Sequence, residues 1–594
     1  MLSNDLLANV LHIDLTRKRW HTEQRADLFE RYLGGAGVAS QLLLEECPPG
    51  IDPYDPANPI IFAVGPLTGM FPLASKTVAM FKSPLTGNLG ESHAGGRSAI
   101  AIRTAGYGAI VIKGASATPV YISIDGSEVH FRDARTLWGM HNAMTVGRVI
   151  RENEKSAGLR TIMRIGGAGE ALVSYAAVTT ETYRHFGRLG LGAVFGSKHL
   201  KAVVVAGRHR IPVSNRSEYR KLYDEVFQAC ATSPVMKKYR DLGTPENVLP
   251  LNTLGGLPTR NLQTASLPEA EAEAISGECF AENNLGRRIA CAHCPVSCIH
   301  IATLREPYED EPYFYKTTMV GYDYELIYAL GTMLGIVDRE NILRLIDVVE
   351  SEAIDAMSTG VVLAWATEAQ ERGLIGTAET DGLKLSWGDR AVYAQAVKRI
   401  VSQPNDFYRA LARGVEFAAA KYGGREFALA HGKNEMPGYH TGPAAQLGFA
   451  IGARHSHLDN AGYTLDQKVL INHSLSPEEI GQELIKEEIW RQVLSSIVIC
   501  YFARGIYTPA TVQRALACAG YTVTPEQLTA IGEQIYLAKY SFKLREGFRF
   551  EDLQFPKRLF ETPSPTMPLV EPEMQRTISY VRDWVQTRLA GRQE

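Results

Sequence analysis

The chain has 594 residues, 45% of them apolar and 21% charged, and a formal net charge of -3 at pH 7. This length is too great for one hydrophobic core, so we expect two to four domains, and the small net charge gives no electrostatic case for nucleic acid as a partner. The N-terminus lacks a signal-peptide pattern and no apolar run reaches about 18 residues, which predicts a soluble, cytoplasmic protein without membrane insertion.

The first 210 residues or so carry the signals of a β-rich region. Short runs of β-branched residues alternate with glycine-rich turns, which is typical of strands joined by tight connections. Asp125-Gly126, between alternating apolar residues, is a two-residue hairpin signal. The predicted strands lie at 59–65, 76–82, 98–103, 108–114, 120–131 and 201–207.

After about residue 212, the apolar residues change to helical spacing. Ser476 and Thr524 are each followed by proline and an acidic residue, which is typical of a helix start. Predicted helices include 217–230, 341–357 and 487–503. The sequence therefore predicts an α+β protein with a β-rich domain at 1–210 and mainly helical domains at 211–420 and 421–594.

Three of the eight cysteines, Cys291, Cys294 and Cys298, lie in the run CAHCPVSC. Three thiolates so close together can bind one metal centre, because thiolate is the soft ligand that iron–sulfur clusters and zinc require. A fourth ligand must come from elsewhere, and the next cysteine along the chain is Cys500. Since zinc ribbons usually have a second cysteine pair close by, this spacing favours a [4Fe–4S] cluster over zinc, and zinc over a disulfide framework.

Two glycine-rich stretches, at 65–116 and 183–201, indicate a cofactor site. Glycine lets backbone N–H groups approach a polar ligand closely, which suits a large cofactor that carries phosphate. The second stretch also contains Arg184 and Arg188, and guanidinium groups suit phosphate recognition. Neither stretch matches the dinucleotide fingerprint or the Walker phosphate loop, so NAD and ATP are disfavoured. Tight turns without a ligand are the alternative interpretation.

Glu325 and His457 are candidates for acid–base chemistry. Glu325 lies in the apolar stretch GYDYELIYALG, where burial would raise the pKa of its carboxyl toward that of a catalytic base. An ordinary ion pair in the core is its alternative role. His457 lies in ARHSHLDNAGY, where a structural histidine would be the more common case. The sequence alone does not bring the two side chains together.

Further segments that carry a family signature are HIDLT (12–16), YLGGAG (32–37), LLLEECPPGIDPYDPANPIIFAVGPLTG (42–69), KSPLTG (82–87), AGYGAIVIKG (105–114), GLGAVFGSKHLKAVVVAG (190–207), DAMSTG (355–360) and REGFRFEDLQFPKRLF (545–560). With these and the cysteine run, the chain resembles the aldehyde ferredoxin oxidoreductases over nearly its whole length. The resemblance implies tungsten, or molybdenum, between two pyranopterin dithiolenes, together with a [4Fe–4S] cluster. It also implies a β-rich N-terminal domain that cradles the bis-pterin cofactor and two helical domains that close over it.

The resemblance assigns roles to individual residues of this chain. Glu325 corresponds to the family's catalytic glutamate and His457 to its active-site histidine. The cluster ligands correspond to Cys291, Cys294, Cys298 and Cys500. The pterin contacts correspond to Gly95, Arg184, Gly187, Arg188, Asp355 and Arg454.

Five positions around the expected cofactor depart from the family pattern. Lysine in place of arginine keeps the charge but loses the bidentate fork, and serine in place of aspartate removes a carboxylate that could accept pterin N–H groups. We therefore expect the cofactor class to follow the family and the substrate to be less closely constrained. The departures are Lys76 for arginine, His93 for asparagine, His185 for alanine, Glu350 for aspartate and Ser495 for aspartate.

The function that the resemblance implies is the oxidation of aldehydes to carboxylic acids in an anaerobic cytoplasm. Electrons would leave through the cluster to ferredoxin or to a dedicated iron–sulfur subunit, and a homo- or hetero-oligomer is compatible with this. One alternative is a low-potential reductase resembling the tungsten benzoyl-CoA reductases. These bind their metal through a protein cysteine, and no cysteine lies between Cys298 and Cys500 here. A second alternative is a non-catalytic electron-transfer subunit without the pterin, suggested by Lys76, His93 and Ser495.

Overall fold

The computed structural model describes residues 5–154, 160–181, 183–308 and 311–591. Its strands are β1 (Asn9–Asp14), β2 (Arg19–Gln24), β3 (Ile60–Ala63), β4 (Thr77–Lys82), β5 (Leu89–Ala94), β6 (Ala109–Lys113), β7 (Val120–Asp125), β8 (Glu128–Asp133), β9 (Thr161–Arg164), β10 (Val178–Thr180), β11 (Arg184–Phe186), β12 (Leu200–Ala206), β13 (Leu285–Ile289), β14 (Ile299–Tyr308), β15 (Glu311–Tyr322), β16 (Ala430–His431) and β17 (Asn434–Glu435). Most of the strands precede residue 207.

The helices of the described chain are α1 (Ala26–Tyr32), α2 (Gly35–Glu46), α3 (Ser98–Ala105), α4 (Ala143–Asn153), α5 (Gly167–Glu170), α6 (Leu191–Ser197), α7 (Arg216–Thr232), α8 (Pro234–Asp241), α9 (Val248–Leu254), α10 (Glu269–Ala274), α11 (Gly277–Asn283), α12 (Tyr324–Leu330), α13 (Arg339–Glu352), α14 (Ala356–Glu371), α15 (Arg390–Ser402), α16 (Asp406–Leu411), α17 (Val415–Tyr422), α18 (Pro443–Ile451), α19 (His457–Asn460), α20 (Gly462–Leu465), α21 (Pro477–Ser496), α22 (Pro509–Cys518), α23 (Pro525–Arg545), α24 (Arg558–Glu561) and α25 (Glu571–Ala590). The longest of them lie after residue 330. The predicted α+β class is therefore confirmed, whereas the division at 210 and 420 stays a prediction.

Two six-stranded sheets form the N-terminal region, with strand orders β2-β1-β6-β3-β4-β5 and β11-β10-β9-β12-β7-β8. Each sheet is mixed, because β1 runs parallel to β6 and β12 runs parallel to β7, while their other pairings are antiparallel. The strands β3, β4 and β12 are buried along their whole length, which explains their continuous apolar runs. The hairpin predicted at Asp125-Gly126 joins β7 to β8.

The strand predicted at 98–103 is wrong, because this run forms α3. Every residue of α3 is buried, so the apolar run lacks the polar face that marks most surface helices. Short apolar runs of this kind fit a buried helix as well as a buried strand. The helix starts directly after the loop that contains Gly95, Gly96 and Arg97.

Two predicted helices end earlier than expected, and both breaks lie beside predicted site residues. The helix predicted at 341–357 divides at Ala353, which has a φ of 52°, and Asp355 then caps α14. The helix predicted at 487–503 ends at Ser496, and Val498 has a φ of 57°. Because of these turns, Asp355 and Cys500 do not continue the helices predicted at 341–357 and 487–503.

The N-terminal region and the C-terminal helices pack closely where α2 meets α21 and α23. A Cβ atom on Gly35 would lie 2.2 Å from the carbonyl oxygen of Ser495, so a larger residue would force the two helices apart. In addition, the backbone N–H of Gly37 donates to Ser496 Oγ at 3.0 Å. The described helices include none that is both long and apolar enough to span a bilayer.

Candidate active site and cysteine cluster

Hydrogen bonds between backbone groups bring Cys500 to the cysteine run. Leu73 links the two segments, because its N–H donates to the carbonyl of His293 at 3.1 Å and its carbonyl accepts the N–H of Cys500 at 2.9 Å. The N–H of Lys76 donates to the carbonyl of Val498 at 3.3 Å. The loop around Leu73 therefore brings the cysteine run and Cys500, which are about 200 residues apart in sequence, next to each other.

Gly95 and Lys76 lie against the cysteine run. A Cβ atom on Gly95 would lie 2.7 Å from Cys291 Sγ and 3.3 Å from Lys76 Nζ, so only glycine fits there without movement. Burial alone would lower the pKa of Lys76, but the nearby Cys500 and Cys291, followed by Cys298, raise it above its ordinary value. Lys76 thus stays charged beside the cysteines.

Burial is the main influence on the pKa of Cys294 and of Cys298. It raises the pKa of Cys298 to about 12 and raises the pKa of Cys294 further, and neighbouring cysteines add to both shifts. Thiolates at these positions therefore need a positive partner, and a metal centre would supply one. Within the described ranges, no group of three or more His, Cys, Asp or Glu side chains is arranged to hold a single metal ion.

Glu325 and His457 are brought together by two helix starts. Glu325 lies in the first turn of α12, whose N-cap is Asp323, and His457 is the first residue of α19, whose N-cap is Ser456. His457 Nε2 lies 3.3 Å from Glu325 Oε1. The ring of Tyr439 lies 5.3 Å from the ring of His457, measured between centroids. Two side chains that sequence could not connect thus form one polar pair.

The surroundings favour the uncharged form of both groups. Burial, and then the nearby Asp323, raise the pKa of Glu325 to about 8. Burial, followed by the cations Arg188 and Arg454, lowers the pKa of His457 well below its ordinary value. At neutral pH the pair is therefore mostly a carboxylic acid beside a neutral imidazole.

Arg188 is anchored at the edge of the site by two elements. Its Nε donates to Asp355 Oδ2 at 3.1 Å, and its Nη2 donates to the carbonyl of Glu435 at 2.7 Å. Ser358 Oγ bridges the carboxylates of Asp355 and Glu435 at 2.6 and 2.7 Å. The predicted residues Arg188 and Asp355 are therefore in direct contact.

A second buried group surrounds Arg184. Its Nε donates to the carbonyl of Tyr183 at 2.6 Å. Burial, and then Asp323, raise the pKa of Glu350 to about 8, while Arg184 acts in the opposite direction. Burial, and then Arg184, lower the pKa of His185 to about 3. Arg184 is thus close enough to influence both Glu350 and Cys298, whose pKa it also lowers.

A third group contains His93 and Arg454. His93 Nε2 lies 2.7 Å from Glu91 Oε1, and Lys539 Nζ lies 2.5 Å from Glu91 Oε2. Burial alone would raise the pKa of Glu91, but Lys539 and Arg454 hold it well below its ordinary value. Arg454 Nε donates to Asp459 Oδ1 at 2.5 Å. This group is a buried network of alternating charges.

The hydroxyl of Ser495 is engaged within the protein. Its Oγ donates to the carbonyl of Arg491 at 2.7 Å and lies 2.5 Å from the hydroxyl of Tyr501. The guanidinium of Arg491 lies 4.9 Å from the centroid of the Tyr501 ring. The Ser495 side chain, predicted to contact the cofactor, therefore already bonds to Tyr501. Tyr501 directly follows Cys500, the last cysteine of the cluster.

Several features of the site suit a polar cofactor. Among the described residues, His457 Nδ1, His185 Nε2 and Arg188 Nη1 are buried without a hydrogen-bond partner. A Cβ atom on Gly187 would meet no atom within 4 Å, so open space lies beside it. Buried polar atoms cost free energy when they are unpaired. These unpaired atoms and the open space beside Gly187 therefore fit a polar cofactor.

Sequence analysis missed several residues of the site: Glu91, Asp323, Glu435, Tyr439, Tyr501 and Lys539. Asp323 had a usable signal, because an acidic residue followed by a helical stretch indicates an N-cap. Glu91 and Tyr501 lie beside predicted residues, two positions before His93 and directly after Cys500, but neither residue type signals a site there. Glu435, Tyr439 and Lys539 lie outside the recognised motifs. Two surface cavities of about 540 and 870 Å³ lie elsewhere, and their walls contain none of the predicted site residues.

Family models match most of the chain. The model of the N-terminal domain of aldehyde ferredoxin oxidoreductase matches residues 10–207, and the model of domains 2 and 3 matches residues 221–584.

Curated relatives agree with these matches. The tungsten-containing aldehyde ferredoxin oxidoreductase of Pyrococcus furiosus is 33% identical over 92% of this chain and 90% of its own length. The WOR-like subunit of the aliphatic sulfonate oxidoreductase of the same organism is 29% identical, over 89% of this chain and 84% of its own length.

Among solved structures, the active-site complex BamBC of benzoyl coenzyme A reductase has a similar fold. It superposes with a TM-score of 0.82 over 98% of this chain and 94% of the other, at 21% identity. At that identity the likeness concerns the fold alone. Together, the models and the curated relatives show that the chain belongs to the aldehyde ferredoxin oxidoreductase family of tungsten oxidoreductases.

Proposed function

We propose that the protein oxidises an aldehyde to a carboxylic acid and passes the electrons to an iron–sulfur protein. The observation that supports this best is the buried pair of Glu325 and His457, 3.3 Å apart beside the anchored Arg188. The reaction is RCHO + H2O → RCOOH + 2 H⁺ + 2 e⁻, so it needs a base, a polar group for the developing negative charge and an electron acceptor.

The proposed cofactors are a tungsten or molybdenum bis-pyranopterin and a [4Fe–4S] cluster. When bound, the pterin metal supplies two-electron redox chemistry and the cluster supplies the electron exit. The pterin would be held by Arg184, Arg188, His185, Gly187 and Asp355. The cluster would be held by Cys291, Cys294, Cys298 and Cys500, with Lys76 balancing charge beside them.

Glu325 acts as the base in this proposal. Its carboxylate takes the proton of the water that attacks the carbonyl carbon, and the raised pKa of about 8 makes it a stronger base than an exposed glutamate. His457 is neutral, so it can donate a hydrogen bond to the carbonyl oxygen while negative charge develops there. The ring of Tyr439 packs between His457 and Tyr463 and covers one side of the pair.

Two findings concern the acceptor. The name of one relative describes a subunit, and the similar solved structure is a complex of more than one component. We therefore propose an iron–sulfur subunit or a ferredoxin as the electron partner. The cysteine run reaches the surface, since His293 is exposed.

An assay with a viologen dye as acceptor tests the proposed function. We expect purified, metal-loaded protein to reduce benzyl viologen with simple aldehydes and to give no reaction with benzoyl-CoA in the presence of a reductant. Ring reduction of benzoyl-CoA without aldehyde oxidation would refute the proposal. The reductase alternative is not favoured. The resemblance to tungsten benzoyl-CoA reductases implies a metal bound through a protein cysteine, and this chain has no cysteine between Cys298 and Cys500.

A further inference from the structure

An arm formed by the far ends of β14 and β15 presents four exposed aromatic side chains. Tyr308, Tyr313, Phe314 and Tyr315 are 54, 88, 64 and 50% exposed. Other large apolar side chains that are exposed in the described part of the chain occur one at a time along the sequence. Clusters of exposed aromatic residues mark surfaces that bind another protein. The far ends of β14 and β15, with these four side chains, are called the aromatic arm below.

The arm is continuous with the cysteine run. Strand β13 ends two residues before Cys291, and β14 begins directly after Cys298, so the three-stranded sheet holds both ends of the run. The half of the sheet near the run is fixed to the protein, because Ile299 and Ile301 are buried.

An ion pair links the far half of the sheet to a helix. Arg344 of α13 donates to Glu306 at 2.6 Å, and the aromatic residues follow beyond that point. Strand β14 has 10 residues, and at about 3.3 Å per residue the arm reaches about 30 Å from the cysteine run. A protein docked on the run would therefore lie alongside the arm.

We propose that the aromatic arm is the docking element for a dedicated iron–sulfur subunit, which takes the electrons that leave through the cysteine cluster. This rests on the proposed function. Transient electron-transfer encounters bury little area, whereas lasting complexes bury aromatic and apolar side chains. Tyrosine and phenylalanine also supply much contact area at a low cost in conformational entropy. The aromatic arm therefore favours a lasting subunit contact over a diffusing ferredoxin.

Site-specific cross-linking tests the occupant directly. Tyr313→p-benzoylphenylalanine is expressed in the organism that makes the protein, with Trp20→p-benzoylphenylalanine as the matched control. Trp20 is also exposed, at 42%, but lies in β2 at the opposite edge of the first sheet from β5 and Gly95. We expect light to join position 313, and not position 20, to a protein whose sequence and iron content identify it as an iron–sulfur protein. A cross-link to a second copy of this chain, to a protein without a cluster, or to nothing would overturn the proposal.

Electron transfer gives a second readout with the protein so identified. The double variant Tyr313→Ser/Phe314→Ser should keep the wild-type rate with benzyl viologen but lose at least tenfold in kcat/KM for the purified iron–sulfur protein. Trp20→Ser should change neither rate. Equal rates for the double variant and the wild type with that acceptor would refute the docking role. A wild-type protein that oxidises no aldehyde with the dye would refute the proposed function instead, and the cross-link would still decide the role of the arm.

Discussion

At the scale of single residues, the site depends on ionisable groups that burial keeps uncharged. Burial, and then the nearby Asp323, raise the pKa of both Glu325 and Glu350 to about 8. His185 is shifted the other way, to about 3, mainly by burial. Shifts of this size in one buried region are typical of functional sites. The region can therefore change its protonation without carrying a large permanent charge.

The first prediction concerns the proposed base. Glu325→Gln should lower kcat for aldehyde oxidation by about 10²- to 10⁴-fold, because a glutamine cannot accept the proton of the attacking water. Tungsten, molybdenum and iron contents should not change, since Glu325 is not among the proposed cofactor contacts. Metal analysis and steady-state kinetics check this. A variant with wild-type turnover would remove Glu325 from its role.

The second prediction concerns pH. A base works only when it is deprotonated, and burial raises the pKa of Glu325 to about 8, so kcat/KM should rise with pH up to about 8 and then level off. His457 should add no second limb above pH 6, because its pKa is lowered and it stays neutral. Rates measured from pH 6 to 9 check this. A rate that is flat across that range would contradict the assignment.

The third prediction concerns the open space beside Gly187. Gly187→Ala should not change the melting temperature of the cofactor-free protein, because its new Cβ meets no protein atom within 4 Å. The same change should lower the tungsten or molybdenum content if a cofactor fills that space. Gly505→Ala, which also meets no atom within 4 Å, is the control and should leave both quantities unchanged. A full metal content in Gly187→Ala would show that the cofactor lies elsewhere.

At the scale of elements, helix ends place the functional side chains. Asp323, Asp355 and Ser456 are N-caps of α12, α14 and α19, and each lies within two residues of a site residue or is one itself. Caps satisfy the first N–H groups of a helix and fix the direction in which it starts. The same local rule that starts each helix therefore also orients the site.

The fourth prediction compares two of these caps. Asp355→Ala should lower the free energy of unfolding by about 3 kcal/mol or more, because it removes a cap and leaves Arg188 without its buried carboxylate partner. Asp389→Ala removes an exposed cap of α15 but no buried ion pair, so it should lower the free energy of unfolding by about 1 kcal/mol. Denaturant unfolding of both variants measures the difference. Equal losses would show that the pair of Arg188 and Asp355 adds no stability.

Element signals in the sequence predicted much of this correctly and failed in specific places. The strands at 59–65, 76–82 and 201–207 and the caps Ser476 and Thr524 follow from local patterns, and the structure confirms them. The run at 98–103 failed because burial on every side removes the periodicity that separates helix from strand.

At the scale of the whole molecule, the site is made by contacts that no local pattern encodes. Leu73 joins the cysteine run to Cys500, and Arg188 joins the β-rich region to Asp355 and Glu435. The cysteine run, Glu325 and His457 could be picked out from the sequence and the family resemblance gave them roles, but the contacts of Glu435, Tyr439 and Lys539 depend on packing between distant segments. Such residues become visible only once the fold is known.

In the proposed function, the chemistry and the electron exit lie in different parts of the molecule. The pair of Glu325 and His457 lies in the interior, whereas the cysteine run reaches the surface at His293, beside the sheet that extends into the aromatic arm. A buried redox site needs an electron exit at the surface, and Lys76 and Arg184 lie near the cysteines. This arrangement matches an oxidoreductase that works with a protein partner.

Elemental analysis of anaerobically purified protein tests the central claim most directly. We expect about one tungsten or molybdenum atom and about four iron atoms per chain, the composition of one pterin-bound metal and one Cys₄-ligated [4Fe–4S] cluster. Cys500→Ser should lower the iron content and confirm that the fourth thiol is used. Zinc alone, or iron without tungsten or molybdenum in protein from the native organism, would contradict the account of a tungsten or molybdenum oxidoreductase.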